Sequence, residues 1–236
     1  MASVLQMLRA SAPTISVGVL TADLMNLGDQ VRLVEEAGVS ILHFDVMDGC
    51  FCPSMTVGPP FIKGVKTGLL KDVHLMISDP LTKIPDYVAA GADILTVHIE
   101  CEPTHIHRVL QSIGKMTNTN DSERGIARGV ALNPGTPVGC IEPLLDQTDV
   151  VTLLAINPGW SGQKFIPSTA ERIIQARTLI GDRDILLCVD GGITKDNISD
   201  TVAMGADMVV TGSAVFDGRT PKENAEYMLA GLGRNK

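Results

Sequence analysis

Aliphatic and β-branched residues fall along this chain in short runs, separated by longer stretches of helical character. Eight runs read as strands, at 14–19, 41–45, 72–77, 94–98, 129–132, 150–156, 185–190 and 208–211. A strand followed by a helix, repeated from end to end, is the pattern of βα units around a parallel sheet, and eight units are what a closed (β/α)₈ barrel, the TIM barrel, requires. The 236 residues suffice for one large α/β domain or two small ones. The unbroken repeat favours a single domain over 1–236, with residues 1–13 as an N-terminal extension.

The punctuation agrees with this reading. Glu36-Ala37-Gly38-Val39, Ala90-Gly91-Ala92-Asp93 and Met204-Gly205-Ala206-Asp207 each place a glycine where a helix needs a left-handed C-terminal residue before the next strand. Asn133-Pro134-Gly135 recurs 24 residues later as Asn157-Pro158-Gly159, each time directly after an apolar strand, as in a duplicated βα unit. Residues 116–128 (MTNTNDSERGIAR) break the pattern; they are polar and read as a long, exposed αβ loop, on the barrel face opposite the loops that carry chemistry.

Composition narrows the function classes. Hydrophobic residues at 44% and charged residues at 19% describe a chain with a core to bury. A formal charge of −8, with no run of Lys or Arg, argues against nucleic acid as a partner. No stretch has the length of a membrane span and the first twenty residues lack a secretory pattern, so a soluble cytoplasmic protein is expected. Five cysteines without a CxxC pair point to reduced thiols rather than to disulfides or a zinc knuckle.

The chemistry is concentrated where polar residues interrupt apolar strands: His43 and Asp45 at the end of the second, His74 inside the third, Asp190 closing the seventh. One such residue is usually a hydrogen-bonded core group. Four at C-terminal strand ends are another matter, because residues i and i+2 of a strand share a face and His43 and Asp45 therefore project together into the barrel. Two imidazoles and two carboxylates suit one divalent ion, whether zinc, iron, manganese or cobalt. Beside two carboxylates such an ion favours proton abstraction next to a carbonyl through an enediolate, with Asp45 and Asp190 on opposite faces as the two bases of a stereoinversion. Glycines in the loops after the last three strands (Asn157 to Gln163, Gly191-Gly192, Gly212-Ser213) have the character of a backbone phosphate cradle.

The ordered motifs His43-Phe44-Asp45-Val46-Met47-Asp48-Gly49, Asp72-Val73-His74-Leu75-Met76, Asn157-Pro158-Gly159 with Gly162-Gln163-Lys164-Phe165, Val189-Asp190-Gly191-Gly192 and Gly212-Ser213-Ala214-Val215-Phe216 resemble those of the ribulose-phosphate 3-epimerase family, from about Thr14 to Phe216. That resemblance implies a ribulose-phosphate-binding barrel that interconverts D-ribulose 5-phosphate and D-xylulose 5-phosphate. It makes His43, Asp45, His74 and Asp190 the metal ligands, with Asp45 and Asp190 exchanging the roles of proton acceptor and donor. It also assigns substrate and phosphate contacts to His74, Gly159, Trp160, Ser161, Gly162, Gly191, Gly192, Gly212 and Ser213, lines the site with Met47 and Met76, and implies a homo-oligomer, dimer or hexamer.

Departures from the family pattern bear on the substrate. Val17-Gly18 stands where Pro-Ser is usual, so a substrate-contacting hydroxyl is absent beside Gly18; Trp160-Ser161 replaces Phe-Gly, and Leu154 replaces a methionine. A 3-epimerase of another phosphoketose, such as allulose 6-phosphate or a tetrulose phosphate, is thus a rival reading, and an inactive phosphate-binding or regulatory barrel is a rival of another class. His98 is expected to pack or to hydrogen-bond behind the site, His105 and His107 to lie on the following helix, and Cys50 and Cys52 to lie in the loop after the second strand.

Overall fold

The computed structural model describes residues 2–101, 104–160 and 162–233. Strands β1 Thr14–Gly18, β2 Ile41–Met47, β3 Leu70–Met76, β4 Ile94–His98, β5 Ala127–Leu132, β6 Val150–Leu154, β7 Leu186–Asp190 and β8 Met208–Thr211 are all parallel and close into a barrel in chain order. Every strand read from the sequence is present. Strand ends move by at most two residues; β2 runs on past Asp45 because Met47 continues the ladder opposite Met76. Ladder register, rather than side-chain polarity, ends a strand.

Helices α1 Val4–Ser11, α2 Leu27–Glu36, α3 Pro59–Gly64, α4 Ile84–Ala89, α5 Ile106–Ile113, α6 Thr169–Ile180, α7 Ile198–Ala203 and α8 Pro221–Ala230 accompany the strands. After β5 the outer layer is a 3-10 segment, Val138–Gln147, because Pro143 inside it has no N–H to give an α-helical ladder. The three helix-to-strand joints behave as read: Gly38, Gly91 and Gly205 adopt φ of +92°, +97° and +113°.

Tracing the register round the barrel shows inward side chains stacked in layers of four from alternate strands. The two lowest are almost wholly apolar: Thr14, Leu70, Ala127 and Leu186, then Ile41, Ile94, Val150 and Met208. Above them come Ser16, Asp72, Gly129 and Cys188, and above those His43, Thr96, Thr152 and Val210, so polarity rises steadily toward the C-terminal mouth. Side chains thus fill the cylinder, and chemistry is confined to its upper end.

The N-terminal extension turns out to seal the bottom. Ser3 and Gln6 form a reciprocal capping box that starts α1, and the helix buries Val4 and Leu8 against the lowest apolar layers. Residues 116–128 were read as an exposed loop; 117, 119, 120, 122, 123 and 125 are exposed, whereas Asn118 and Ile126 are buried and β5 already begins at Ala127. The segment does lie on the αβ side, and the buried Asn118 Nδ2 donates to Asp93 Oδ1 at 2.9 Å and to the Gly125 carbonyl at 2.8 Å. Asn120 Nδ2 donates to Gly91 O at 2.9 Å, and the Lys71 N–H donates to the second Asp93 oxygen at 2.9 Å. A buried carboxylate that needs partners draws the polar loop inward.

Leu8 is fully buried, and truncating such a residue removes its transfer free energy and leaves a cavity. Leu8→Ala is expected to destabilise the fold by about 2–5 kcal/mol in urea titrations while leaving any activity carried by the opposite, C-terminal mouth near that of the parent. A loss below about 1 kcal/mol would show that α1 does not close the barrel.

Candidate active site

His43 and Asp45 leave β2 on its inner face, and register sets Asp45 opposite His74 on β3 and Leu154 of β6 opposite Asp190 on β7. These positions bring four side chains to the barrel mouth, with one donor atom from each lying within 4.8 Å of every other. His43 Nε2 is 3.2 Å from Asp45 Oδ1 and 3.7 Å from Asp190 Oδ2. His74 Nδ1 is 3.5 Å and 3.1 Å from the same two oxygens. His43, His74 and Asp190 are buried, whereas Asp45 keeps about a quarter of its side-chain surface open to the mouth.

Groups behind the cluster fix its protons. Asp72 Oδ2 accepts from His43 Nδ1 at 2.7 Å and from Ser16 Oγ at 2.9 Å, so Nδ1 keeps its proton and Nε2 is the His43 atom that turns to the centre. His74 Nδ1, by contrast, is buried and makes no hydrogen bond of acceptable geometry, aimed instead between the two carboxylates. An orphaned imidazole nitrogen facing two carboxylates, with a second imidazole nitrogen beside it, is the donor set of a divalent-cation site, and these residues fit one.

The charges are balanced by protons. Burial works to lower the His43 pKa, but Asp72 and Asp45 outweigh it and hold the group well above its ordinary value. His74 shows the same contest, with burial opposed by Asp190 and Asp45, and ends raised to about 9. Burial would raise Asp45, yet the two imidazoles beside it keep it well below the usual carboxylate range. His98, with burial dominant, is lowered to about 4 and stays neutral. A divalent cation placed among the four donors would take over the compensation that protons on the imidazoles otherwise provide.

The other sequence-derived residues gather at the same end. Met47 and Met76 are register partners at the tops of β2 and β3, Met76 buried and Met47 half-buried. Gly18 closes β1, and a Cβ built there would meet nothing nearer than Gly212 Cα at 3.6 Å. Gly159, Trp160 and Gly162 lie on the loop after β6, Gly191 and Gly192 after β7, Gly212 and Ser213 after β8; Ser161 lies outside the described residues. Ser54 Oγ donates to the Gly159 carbonyl at 2.7 Å, tying the β6 loop to the loop after β2, and the Gln163 amide donates to Trp160 O at 2.8 Å. Gly192 has φ +68°, and a Cβ there would stand 2.7 Å from the Phe165 nitrogen, so this glycine lets the loops after β6 and β7 touch.

His98 caps β4 behind His74, with Nε2 of the two rings 2.9 Å apart. His105 immediately precedes α5 and only His107 lies on it, both exposed and away from the cluster. Cys50 is exposed and Cys52 buried in the loop after β2. Asp72 and Glu100 were not singled out from the sequence. The signal was available: each stands two residues from a strand histidine, the spacing that marked Asp45.

A closed eight-stranded βα barrel with a His₂Asp₂ cluster at its mouth that could hold a metal ion, and glycine loops after its last three strands, defines a class of barrel enzyme. Solved barrels share the fold at low sequence identity: 3-hexulose-6-phosphate synthase from Salmonella typhimurium superposes with a TM-score of 0.68 at 18% identity, covering 93% of this chain and 98% of that one. KGPDC from Streptococcus mutans gives 0.67 at 13% identity, covering 94% and 98%. Within that class, residues 14–216 match the Ribulose-phosphate 3 epimerase family, and the chain belongs to it. The ribulose-phosphate 3-epimerase of Bacillus subtilis (strain 168) is 41% identical over 218 residues, 90% of this chain and 96% of the relative. That of Rhodobacter capsulatus is 44% identical over 208 residues, 86% of each chain. The protein is therefore an epimerase, an enzyme of the isomerase class.

Gly192→Ala would impose a left-handed alanine and push the β7 loop off Phe165, at a cost of about 1–3 kcal/mol. We expect thermal unfolding to shift down accordingly and KM for a phosphorylated substrate to rise at least roughly tenfold, the loss of a good charged hydrogen bond. An unchanged KM would separate this loop from phosphate binding.

Proposed function

We propose that the protein interconverts D-ribulose 5-phosphate and D-xylulose 5-phosphate by proton transfer at C3, with Asp45 and Asp190 as its two catalytic bases. The observation that carries this reading is the convergence of His43, Asp45, His74 and Asp190, whose donor atoms lie within 4.8 Å of one another at the barrel mouth. The names of the relatives support the sugar phosphate.

His43, Asp45, His74 and Asp190 would hold one divalent cation, zinc, iron, manganese or cobalt. A cation there supplies Lewis-acid stabilisation of the negative charge that develops on the substrate oxygens. Asp45, kept ionised by the imidazoles, takes the C3 proton from one face. Asp190, reaching in from β7, returns a proton to the other face of the planar enediolate, and in reverse the two exchange tasks. His74 meets the substrate beside the cation, and Met47 and Met76 wall the reacting carbons from water. Gly159, Trp160, Ser161, Gly162, Gly191, Gly192, Gly212 and Ser213 contact the substrate and its phosphate, chiefly through backbone N–H groups.

The space beside Gly18 favours a second reading. With no side chain where the family pattern has serine, the substrate pocket has room at the end of β1, and another phosphoketose, such as allulose 6-phosphate or a tetrulose phosphate, is the rival substrate. We further propose that residues 1–236 act as one domain, that the enzyme works as a homo-oligomer, dimer or hexamer, and that it resides in the cytoplasm. Among the described residues no helix is long and apolar enough to cross a membrane, and one relative is chloroplastic in Arabidopsis thaliana.

Asp45→Asn and Asp190→Asn should each lower kcat by about 10²–10⁴, measured against a panel of ketose phosphates with circular dichroism unchanged. Full activity in both variants ends the two-base scheme; turnover of a hexulose or tetrulose phosphate without ribulose 5-phosphate transfers the assignment to the rival substrate.

The raised His74 pKa, about 9, sets a second expectation. Its Nδ1 proton occupies the site below that pH, so each cation bound must release it, and apparent affinity falls as pH falls. Chelator competition with Zn²⁺ at pH 6, 7 and 8 should show roughly tenfold weaker binding per pH unit for each proton released. Affinity independent of pH over that range would contradict a proton held at His74 Nδ1.

A further inference from the structure

We propose that Glu100, acting through His98, is a positioning residue that turns the Nδ1 lone pair of His74 toward the metal centre. This role rests on the ligand set just proposed and extends it to two residues outside it.

Glu100 stands two residues beyond the end of β4. Its Oε1 accepts from the Asn133 N–H at 2.8 Å and from the Thr136 hydroxyl, both in the loop after β5. That loop is itself clamped from α6: the Arg172 guanidinium donates to the carbonyls of Thr136 at 2.6 Å, Asn133 at 3.0 Å and Pro134 at 3.1 Å. Glu100 Oε2 is thereby left facing His98 Nδ1 at 3.0 Å.

From there the protons are ordered inward in one direction. An ionised carboxylate has no proton to give, so His98 Nδ1 carries one and donates it. His98 Nε2 is left with a lone pair, and the proton in the 2.9 Å contact between the two Nε2 atoms belongs to His74. The rings are within 12° of parallel with centroids 5.0 Å apart. Once the second proton has left to make room for a cation, the proton His74 keeps is the one on Nε2, and Nδ1, which has no hydrogen bond of its own, is the atom it offers to the centre. The opposite arrangement would set the Nδ1 lone pair of buried His98 against a carboxylate. His43 is fixed on the other side by Asp72 in the same manner.

Glu100→Gln tests this with one atom changed. The amide oxygen can still accept from Asn133 and Thr136, but the amide nitrogen then faces His98 Nδ1 and donates to it. His98 must carry its proton on Nε2, and His74 is driven to hold its own on Nδ1, where the metal belongs. Zn²⁺ affinity, measured by competition with a chromophoric chelator, should fall about 10- to 100-fold, with metal-free thermal stability near that of the parent. His98→Phe should weaken Zn²⁺ binding as well, and adding Glu100→Gln to it should cost nothing further, since the route from residue 100 is already cut. A Glu100→Gln variant that binds Zn²⁺ within twofold of the parent overturns the relay, as does an additive loss in the double variant. Failure of the parent protein itself to bind Zn²⁺ would instead remove the ligand set on which the relay stands.

Discussion

Three carboxylates and two imidazoles, nearly all withdrawn from water, share the upper end of this barrel, and their mutual compensation is the constraint on which the rest depends. Asp45, Asp72 and Asp190 crowd His43 and His74 at 2.7–3.7 Å. Any of these charges alone would cost several kcal/mol to bury. Together they hold protons on the imidazoles, and the same crowding keeps Asp45 ionised; four of these groups could hold a metal ion instead.

Such a cluster requires a frame that does not relax around it. The barrel supplies it by separating tasks along its axis. Closed strand pairing satisfies the backbone, two apolar layers and the Val4–Ser11 helix seal the bottom, and polarity enters only above them. Asp93 anchors the long polar loop at the lower face much as Glu100 anchors the β5 loop at the upper one. In both places a buried carboxylate organises backbone that has no regular structure of its own.

Much of this could be read along the chain. Eight apolar runs separated by helical stretches, with glycines at three helix ends, announce the barrel because the βα repeat has few other closed solutions. Polar residues inside apolar strands mark His43, Asp45, His74 and Asp190 because an uncompensated charge in a strand is costly. The 1–13 segment gave no comparable signal: α1 spans only two turns, and its two buried residues acquire meaning when the barrel bottom exists to receive them. The buried Asn118 inside the 116–128 loop was missed for the related reason that Asp93, its partner, belongs to another βα unit.

Local pattern therefore determined which segments pair and which residues carry unusual chemistry, since strand alternation and the cost of burying charge act within a few residues. Tertiary structure decided which of those residues meet. Asp72 lies beneath His43, and Glu100 reaches His74 only through His98, because barrel closure and stagger set partners from different strands at hydrogen-bond distance. Distances across a barrel follow from register summed over eight strands, and no short stretch of sequence contains that sum.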